Sequence, residues 1–425
     1  VYLWTLNLST KHNACSYYRI QVPFRHLPVI EPSVQVFEER GNTKDANLAL
    51  VHSDVAQFYA VSGEPFLHRF LAYKKIAPSV RAGEPIYPPA LIYDHDDNND
   101  FVHPFNTQFA RMGVRGYPDT SLLEPGDGLV IEDAKGKHLT EYIDQQTTSD
   151  GSVWDIARNL QQMKVRHEII RQAHGVTAAS PLLAKYFKDV VGNPNTYFFP
   201  NTIVPEDYED LELVRTDDEI RILWQGGMSH WIDWYPLRDA LGTIAKKYPK
   251  VKFVIFGEYF HWIHDVIPAE QIEHHIWVEY EAYKLKRGLM NIDINLCPLA
   301  NNVFNACKSA IKWYEGSVWR KPEPTLAQNT GPYREIQDGK TGLLFNTPAE
   351  FVEKLSLLIE DVALRARLAA GAREWVMENR TPKATIPGLF DFYAETRARQ
   401  RRELGAPVIH RPTFEQIKKV GTALR

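Results

Sequence analysis

The feature that most constrains this chain is an alternation that runs through it twice. Short apolar stretches, each long enough for one strand, are separated by amphipathic stretches of helix length. Such alternation builds parallel sheets, because each helical crossover returns the chain to the same end of the next strand. In the first series the pattern predicts strands at 2–8, 48–51, 90–93, 175–178 and 197–199, with helices over 16–27, 65–75, 153–174 and 181–188. Residues 101–150 are polar and aperiodic, which predicts a loop-rich insertion. The second series predicts strands at 220–225, 251–256, 276–278, 292–296, 324–327 and 342–345. A long helix with a break over 348–376 and a last helical stretch near 386–402 follow.

The expected fold class is therefore α/β, with two Rossmann-like doubly wound domains facing a central cleft. Residues 1–204 form the first domain and 219–385 the second, joined by the acidic stretch 205–218. Residues 386–425 form a helix returning toward the first domain, plus a basic tail. The length of 425 residues fits two domains better than one. In open α/β sheets ligands sit at the carboxyl ends of the strands, so functional residues are sought just after each strand.

The formal net charge of -4 gives no global attraction to nucleic acid or anionic membrane. Cys15, Cys297 and Cys307 are too few and too far apart for a disulfide framework or a paired-cysteine metal site, so a reducing cytoplasmic setting is expected. No apolar run is long enough to span a bilayer and no signal-peptide layout is present, so the expectation is a soluble protein, at most peripheral to a membrane. One local departure stands out. Residues 397–425 carry eight Lys/Arg against two Glu. Such a tail can follow the phosphates of DNA or an anionic membrane surface, or can be a solvated helix end.

Three pieces of the second series carry chemistry. Gly226-Gly227 follows a buried strand and leads into His230 and Asp233. Glycines at a strand end let backbone N–H groups approach a phosphate, although tight turns use the same residues. The stretch Asn305, Lys308, Ser309, Lys312, Glu315 reads as a helix with Asn305 at its N-cap and Lys308, Lys312 and Glu315 on one face. Two lysines near a helix N-terminus make a seat for a diphosphate. Glu315, one turn on, has the chemistry to accept hydrogen bonds from vicinal sugar hydroxyls. The bland alternative is a solvated face on which Glu315 neutralises a lysine. The third piece runs from Asn329 through Gly331, Glu335 and Asp338 to Gly342, a strand end, short helix and turn.

In order, these pieces resemble the donor domain of the retaining GT-B glycosyltransferases of family 4. The Gly-rich loop is Gly226-Gly227 with His230 and Asp233. Phe256-Gly257 ends the next strand, Asp293 to Pro298 spans another, Phe304 to Glu315 is the Lys/Glu segment, and Gly331 to Gly342 is the closing loop. The resemblance implies that Glu315 holds the donor ribose, Lys308 the diphosphate, and the backbone at Gly226-Gly227 the phosphates, with Asn305, Ser309 and Lys312 lining the donor. It implies a nucleotide-sugar substrate, retention at the anomeric centre, no cofactor and no metal. Two departures are present: Cys307 stands where the family has the first of two glutamates, and the first loop lacks its basic pair.

In the first series, the loop holding Asn13, Tyr18 and Arg19 resembles the family's first loop and is expected at the acceptor or cleft. Asp94, His95, Asp96, Asp97 and Asp100 crowd the end of one strand. His95 and Asp96 are the expected contacts to reacting sugar or acceptor hydroxyls, Asp97 an acceptor contact, and Asp94 structural. A solvated acidic turn and a Mg²⁺ site are the alternatives. His103 and His174 are further polar candidates, and Thr177–Ser180 with Pro200-Asn201 are expected to line the hinge. The acceptor class stays open: a glycan, a lipid-linked glycan, a protein, or a hydroxymethylated DNA base as in phage-type DNA glycosyltransferases. A non-catalytic or phosphorolytic relative with the same frame is the reading of another class. A dinucleotide oxidoreductase is disfavoured because no GxGxxG follows a strand.

Overall fold

A computed structural model describes residues 2–7, 14–40, 50, 52–81, 84–103, 106, 108–114, 155–208, 217–258 and 260–405. The strands are β1 (Tyr2–Asn7), β2 (Gln35–Arg40), β3 (Val55–Tyr59), β4 (Ser79–Arg81), β5 (Glu84–Ile86), β6 (Ala90–His95), β7 (Gly175–Ala178), β8 (Thr196–Phe198), β9 (Ile220–Gly226), β10 (Val251–Gly257), β11 (Ile272–His275), β12 (Ile294–Cys297), β13 (Thr325–Gln328) and β14 (Leu343–Phe345). The principal helices are α1 (Val22–Ile30), α2 (Glu64–Lys74), α3 (Ile156–Gln172), α4 (Pro181–Tyr186), α5 (Arg238–Lys247), α6 (Tyr280–Gly288), α7 (Val303–Ala306), α8 (Ile311–Val318), α9 (Pro348–Glu360), α10 (Val362–Asn379) and α11 (Pro382–Glu403).

The chain divides into two compact units: residues 1–97, 161–203 and 380–425 form the first, and 98–160 with 204–379 the second. The start of the expected insertion thus groups with the second unit. The first unit has a parallel sheet of order β2-β1-β3-β6-β7-β8. Its core joins Ile20, Phe24 and Leu27 to Val55, Ile92 and, from α11, Ile386, Leu389 and Tyr393. A separate antiparallel hairpin is made by β4 and β5.

The second unit has the order β11-β10-β9-β12-β13-β14, also parallel throughout. Counted within the unit this is 3-2-1-4-5-6, the dinucleotide-fold order, in which the chain reverses direction between its first and fourth strands. That switch point lies between β9 and β12. Trp224 and Trp234 stack at 3.7 Å between centroids in the core beneath it. Helix α5 buries Ala240, Leu241, Ile244 and Ala245, spaced to cover one face of a helix against the sheet.

Some expected elements move. The strand expected at 48–51 is not seen at position 50, which is helical; the paired strand is β3, whose fully buried Val-Ala-Gln-Phe-Tyr run hides its alternation. The edge strand β2 is a further addition. The strand expected at 276–278 sits at β11 instead, so Trp277 falls in the following loop. The break in the terminal helix is Asp361, between α9 and α10. Among the described residues no helix is long and apolar enough to cross a membrane.

Candidate functional site

In the second unit the site is built at the carboxyl ends of β9 and β12. At the end of β9, the Gly226 carbonyl approaches the end of β10 so closely that a Cβ on Gly257 would lie 2.4 Å from it and 2.7 Å from the Trp277 ring. Gly257 has φ +120°, which an L side chain rarely adopts, so glycine is required there on both counts. On the far side of the loop, a Cβ on Gly226 would sit 2.8 Å from the His230 ring and 3.5 Å from Lys312 Nζ.

Those two side chains belong to a chain of polar contacts. Asp233, 2% exposed, pairs its Oδ2 with His230 Nδ1 at 2.6 Å. Its Oδ1 accepts from the Ala300 N–H and from Asn305 Nδ2, each at 2.8 Å. His230 Nε2 lies 3.4 Å from Lys312 Nζ. The Asp233 carboxylate thereby ties the β9 loop to the β12 loop. Burial, helped by the neighbouring Lys312 and opposed by Asp233, pushes the His230 imidazole down to about 4. Burial also pushes Lys312 down to about 8, against the pull of Cys297 and Asp233 and helped by Lys308. Two lysines thus lie near a buried carboxylate that is itself bonded to a neutral imidazole.

The helix on which these residues were expected to line up is broken. Asn302, not Asn305, is the N-cap: its side chain accepts from the Asn305 N–H at 2.8 Å and opens the single turn α7. Asn305 lies inside that turn and donates to Asp233 and to the Ala300 carbonyl. The chain then leaves helical geometry, and α8 begins only at Ile311. Lys312 and Glu315 lie on α8, whereas Lys308 and Ser309 lie in the connection, Lys308 Nζ resting 4.7 Å from the Phe304 ring centroid. Close packing explains the break. Gly331, at φ +47°, brings its backbone so near α7 that a Cβ would meet Ala306 Cα at 2.8 Å. Cys-Lys-Ser also supplies no strong helical run. Helix α8 is held against the sheet by Asn295 of β12, which donates to the Lys312 carbonyl at 2.9 Å, and is tied to the short helix Gly331–Glu335 by Tyr314 donating to Glu335.

Glu315 is 6% exposed, and each of its oxygens accepts one phenol: Tyr208 at 3.2 Å and Tyr283 at 3.0 Å. Gln225 donates in turn to the Tyr283 hydroxyl at 2.7 Å. Tyr208, Tyr283 and Gln225 escaped the sequence reading because no local pattern links them to a carboxylate more than thirty residues away. Asn302 had a signal, since it is the first of the two asparagines flanking Val303-Phe304. Cys307, where the family has a glutamate, is fully buried and accepts from Asn98 Nδ2 at 3.4 Å.

In the first unit the acidic cluster separates into two kinds of group. Asp94 and Arg19 are both fully buried and joined twice, Nε to Oδ2 at 3.0 Å and Nη2 to Oδ1 at 2.5 Å. Thr177 donates to the same carboxylate, and Arg19 Nη1 donates to the Phe199 carbonyl and to Asn201. Arg19 is therefore half of an interior ion pair rather than a surface cation, because its donors meet acceptors at the ends of β6 and β8. Tyr18, 2% exposed, is likewise interior and packs edge-on against Tyr17. Asp96 differs. Its side chain is 15% exposed and accepts from Tyr59 at 2.9 Å. Burial acts to raise its carboxyl, and hydrogen bonding with His95 and Tyr59 overrides it, to about 2. His95 stacks on Phe187. Asp97 is partly buried beside them, and Asn13 lies outside the described residues. Burial pushes His103 and His174 down to about 4. Among the described residues no group of three His, Cys, Asp or Glu is placed to hold a metal ion.

No family model and no curated protein sequence matches the chain. Solved structures do. HepE of Anabaena in complex with UDP shares 13% identity and a TM-score of 0.55, over 93% of this chain and 100% of that one. A glycosyltransferase of Rickettsia africae ESF-5 shares 11% identity and a TM-score of 0.56, over 93% and 98%. The fold is GT-B. At these identities the likeness is one of architecture, and HepE has also been solved with UDP-glucose, at 13% identity and a TM-score of 0.52 over 93% and 98%. The second unit has the dinucleotide-fold strand order, with Gly226 and Gly257 at its switch point.

Proposed function

We propose that the chain is a glycosyltransferase that binds a nucleoside-diphosphate sugar on its second unit and passes the sugar to an acceptor hydroxyl. The observation that carries this reading is the cation-rich cluster at the β9/β12 switch point. Lys312 lies against Gly226 there, Lys308 is close enough to act on both Lys312 and Asp233, and Asp233 and Glu315 are the carboxylates that act on Lys312. A diphosphate supplies the anion such a cluster favours, and charge growing on the departing diphosphate is stabilised more than the ground state. In this reading Glu315, held by two phenols, accepts from ribose hydroxyls. Retention, a front-face transfer in which the leaving phosphate takes the acceptor's proton, and independence of metal and cofactor follow the family resemblance. His95 and Asp96 are the proposed contacts to the reacting sugar or acceptor. A glycan or lipid-linked glycan is the preferred acceptor over DNA, because part of the basic segment is already engaged. Arg397 and Arg401 pair with Asp54, and Arg399 donates to the His174 carbonyl. The rest of the tail, 406–425, lies outside the described residues.

The test is a panel of nucleotide sugars assayed for transfer and hydrolysis, with UDP, ADP and GDP titrated calorimetrically. One nucleotide binds, and Lys308→Ala and Glu315→Ala each cut turnover at least about tenfold while the circular dichroism spectrum is kept. Wild-type turnover in both folded variants sinks the donor site as drawn here.

A further inference from the structure

Beside the Asp233 cluster the second unit contains a cavity of about 190 Å³ that the donor reading does not use. It lies over the carboxyl ends of β12, β13 and β14. Asn301, Asn302, Gln328 and Asp233 line it together with His103, and Phe345 is among its apolar walls. Four amides line it; Asn346 donates its NH₂ to Glu350, and the other three behave alike. Asn302 Oδ1 accepts from the Asn305 N–H at 2.8 Å, Gln328 Oε1 from the Leu299 N–H at 3.2 Å, and Asn301 Oδ1 from the Thr330 hydroxyl at 2.9 Å. A backbone N–H can only donate, so the first two amides are fixed with oxygen toward the protein. Each of the three retains an NH₂ that donates to no protein group among the described residues.

The lining contains no Lys or Arg, and its one carboxylate, Asp233, repels anions. Burial holds His103, 7% exposed, down at about 4, so it adds no charge at neutral pH. The cavity is below the roughly 300–1,000 Å³ of ordinary ligand pockets, which suits one ring and not a nucleotide. Amide donors, a carboxylate with one lone pair to spare and an apolar remainder match a molecule whose every hydroxyl both accepts and donates.

We propose that this cavity is a subsite for one uncharged sugar ring, contributed by the acceptor glycan. Its place in a reaction rests on the transferase reading; its affinity for a sugar does not. The Asp233 carboxylate is shared by this cavity and the Lys312 cluster.

Methyl α- and β-glycosides of glucose, galactose, mannose and N-acetylglucosamine are titrated against the full chain by NMR, with and without UDP. The expected result is saturable binding of at least one glycoside. Ile232→Trp, which fills the cavity, abolishes it, and Asn301→Ala weakens it about tenfold, while calorimetric UDP affinity stays at its wild-type value in both. The proposal is overturned if no glycoside binds saturably, if binding survives both substitutions in folded protein, or if inorganic phosphate displaces the glycoside. Should UDP fail to bind while a glycoside does, the donor reading falls and this subsite stands.

Discussion

The carboxyl ends of the two sheets place charge in opposite ways. In the first unit Arg19 meets Asp94 with both partners fully buried and nearly every donor and acceptor matched inside the protein. In the second, Lys312 and Lys308 lie near Asp233 and Glu315 without an ion pair to either among the described residues, and burial lowers Lys312 to about 8. A balanced pair is self-sufficient and serves the fold. An unbalanced one is held at a cost to the fold and gains its counter-charge from a ligand. The same residue types therefore mean architecture in one unit and, on the proposed function, binding in the other.

The largest test of this contrast is Arg19→Ala. It leaves Asp94 buried without its cation and should lower stability by about 3–5 kcal/mol, read as a shift in the denaturant midpoint. A loss below about 1 kcal/mol would show that the pair is not what seals the first unit.

Lys312→Met should do the reverse. Lys312 is easier to deprotonate in the fold than in the unfolded chain, so its charge opposes folding at neutral pH. Removing it should leave the denaturant midpoint unchanged or higher, while nucleotide affinity falls by about 1.5–3 kcal/mol, the range of a charge-assisted hydrogen bond. The sign of the pH effect follows. Below pH 8 Lys312 is already protonated and affinity is flat with respect to it. As pH rises through about 8 the free protein loses that proton, binding must recover it, and affinity falls by up to about tenfold per pH unit. Calorimetry in buffers of different ionisation enthalpy should register proton uptake there, and the Lys312→Met variant should show none. Equal proton uptake in both proteins would assign it to another group.

The smallest effect is expected at Tyr283→Phe. Glu315 loses one of its two phenol donors, so donor KM should rise a few-fold, matching about 0.5–1.5 kcal/mol, with kcat and fold little changed. An unaltered KM would mean that the tyrosine does not orient Glu315.

How much of this was legible in the sequence differs by feature. Parallel α/β architecture and most second-unit strands follow from hydrophobic alternation alone, and β9, β10 and β12 to β14 appear within a few residues of their expected places. β3 was misplaced because a strand buried on both faces carries no alternation. Lys312 and Glu315 stayed on one helix as expected, but Lys308 did not, because the approach of Gly331 to Ala306 ends α7 and no local spacing records a contact with a segment about 25 residues away.

By itself, then, the sequence determined the layered α/β fold, the glycine pair after β9 and the residue types near the proposed donor site, since each depends on local period or local backbone freedom. Only the tertiary structure decided which charges are balanced. It buried Arg19 against Asp94, brought His230 and Asp233 to Lys312 from nearly eighty residues away, and turned Tyr208 and Tyr283 onto Glu315. Whether a charge stabilises or binds depends on its desolvation and its nearest counter-charge, and both are set by packing between segments far apart in the chain.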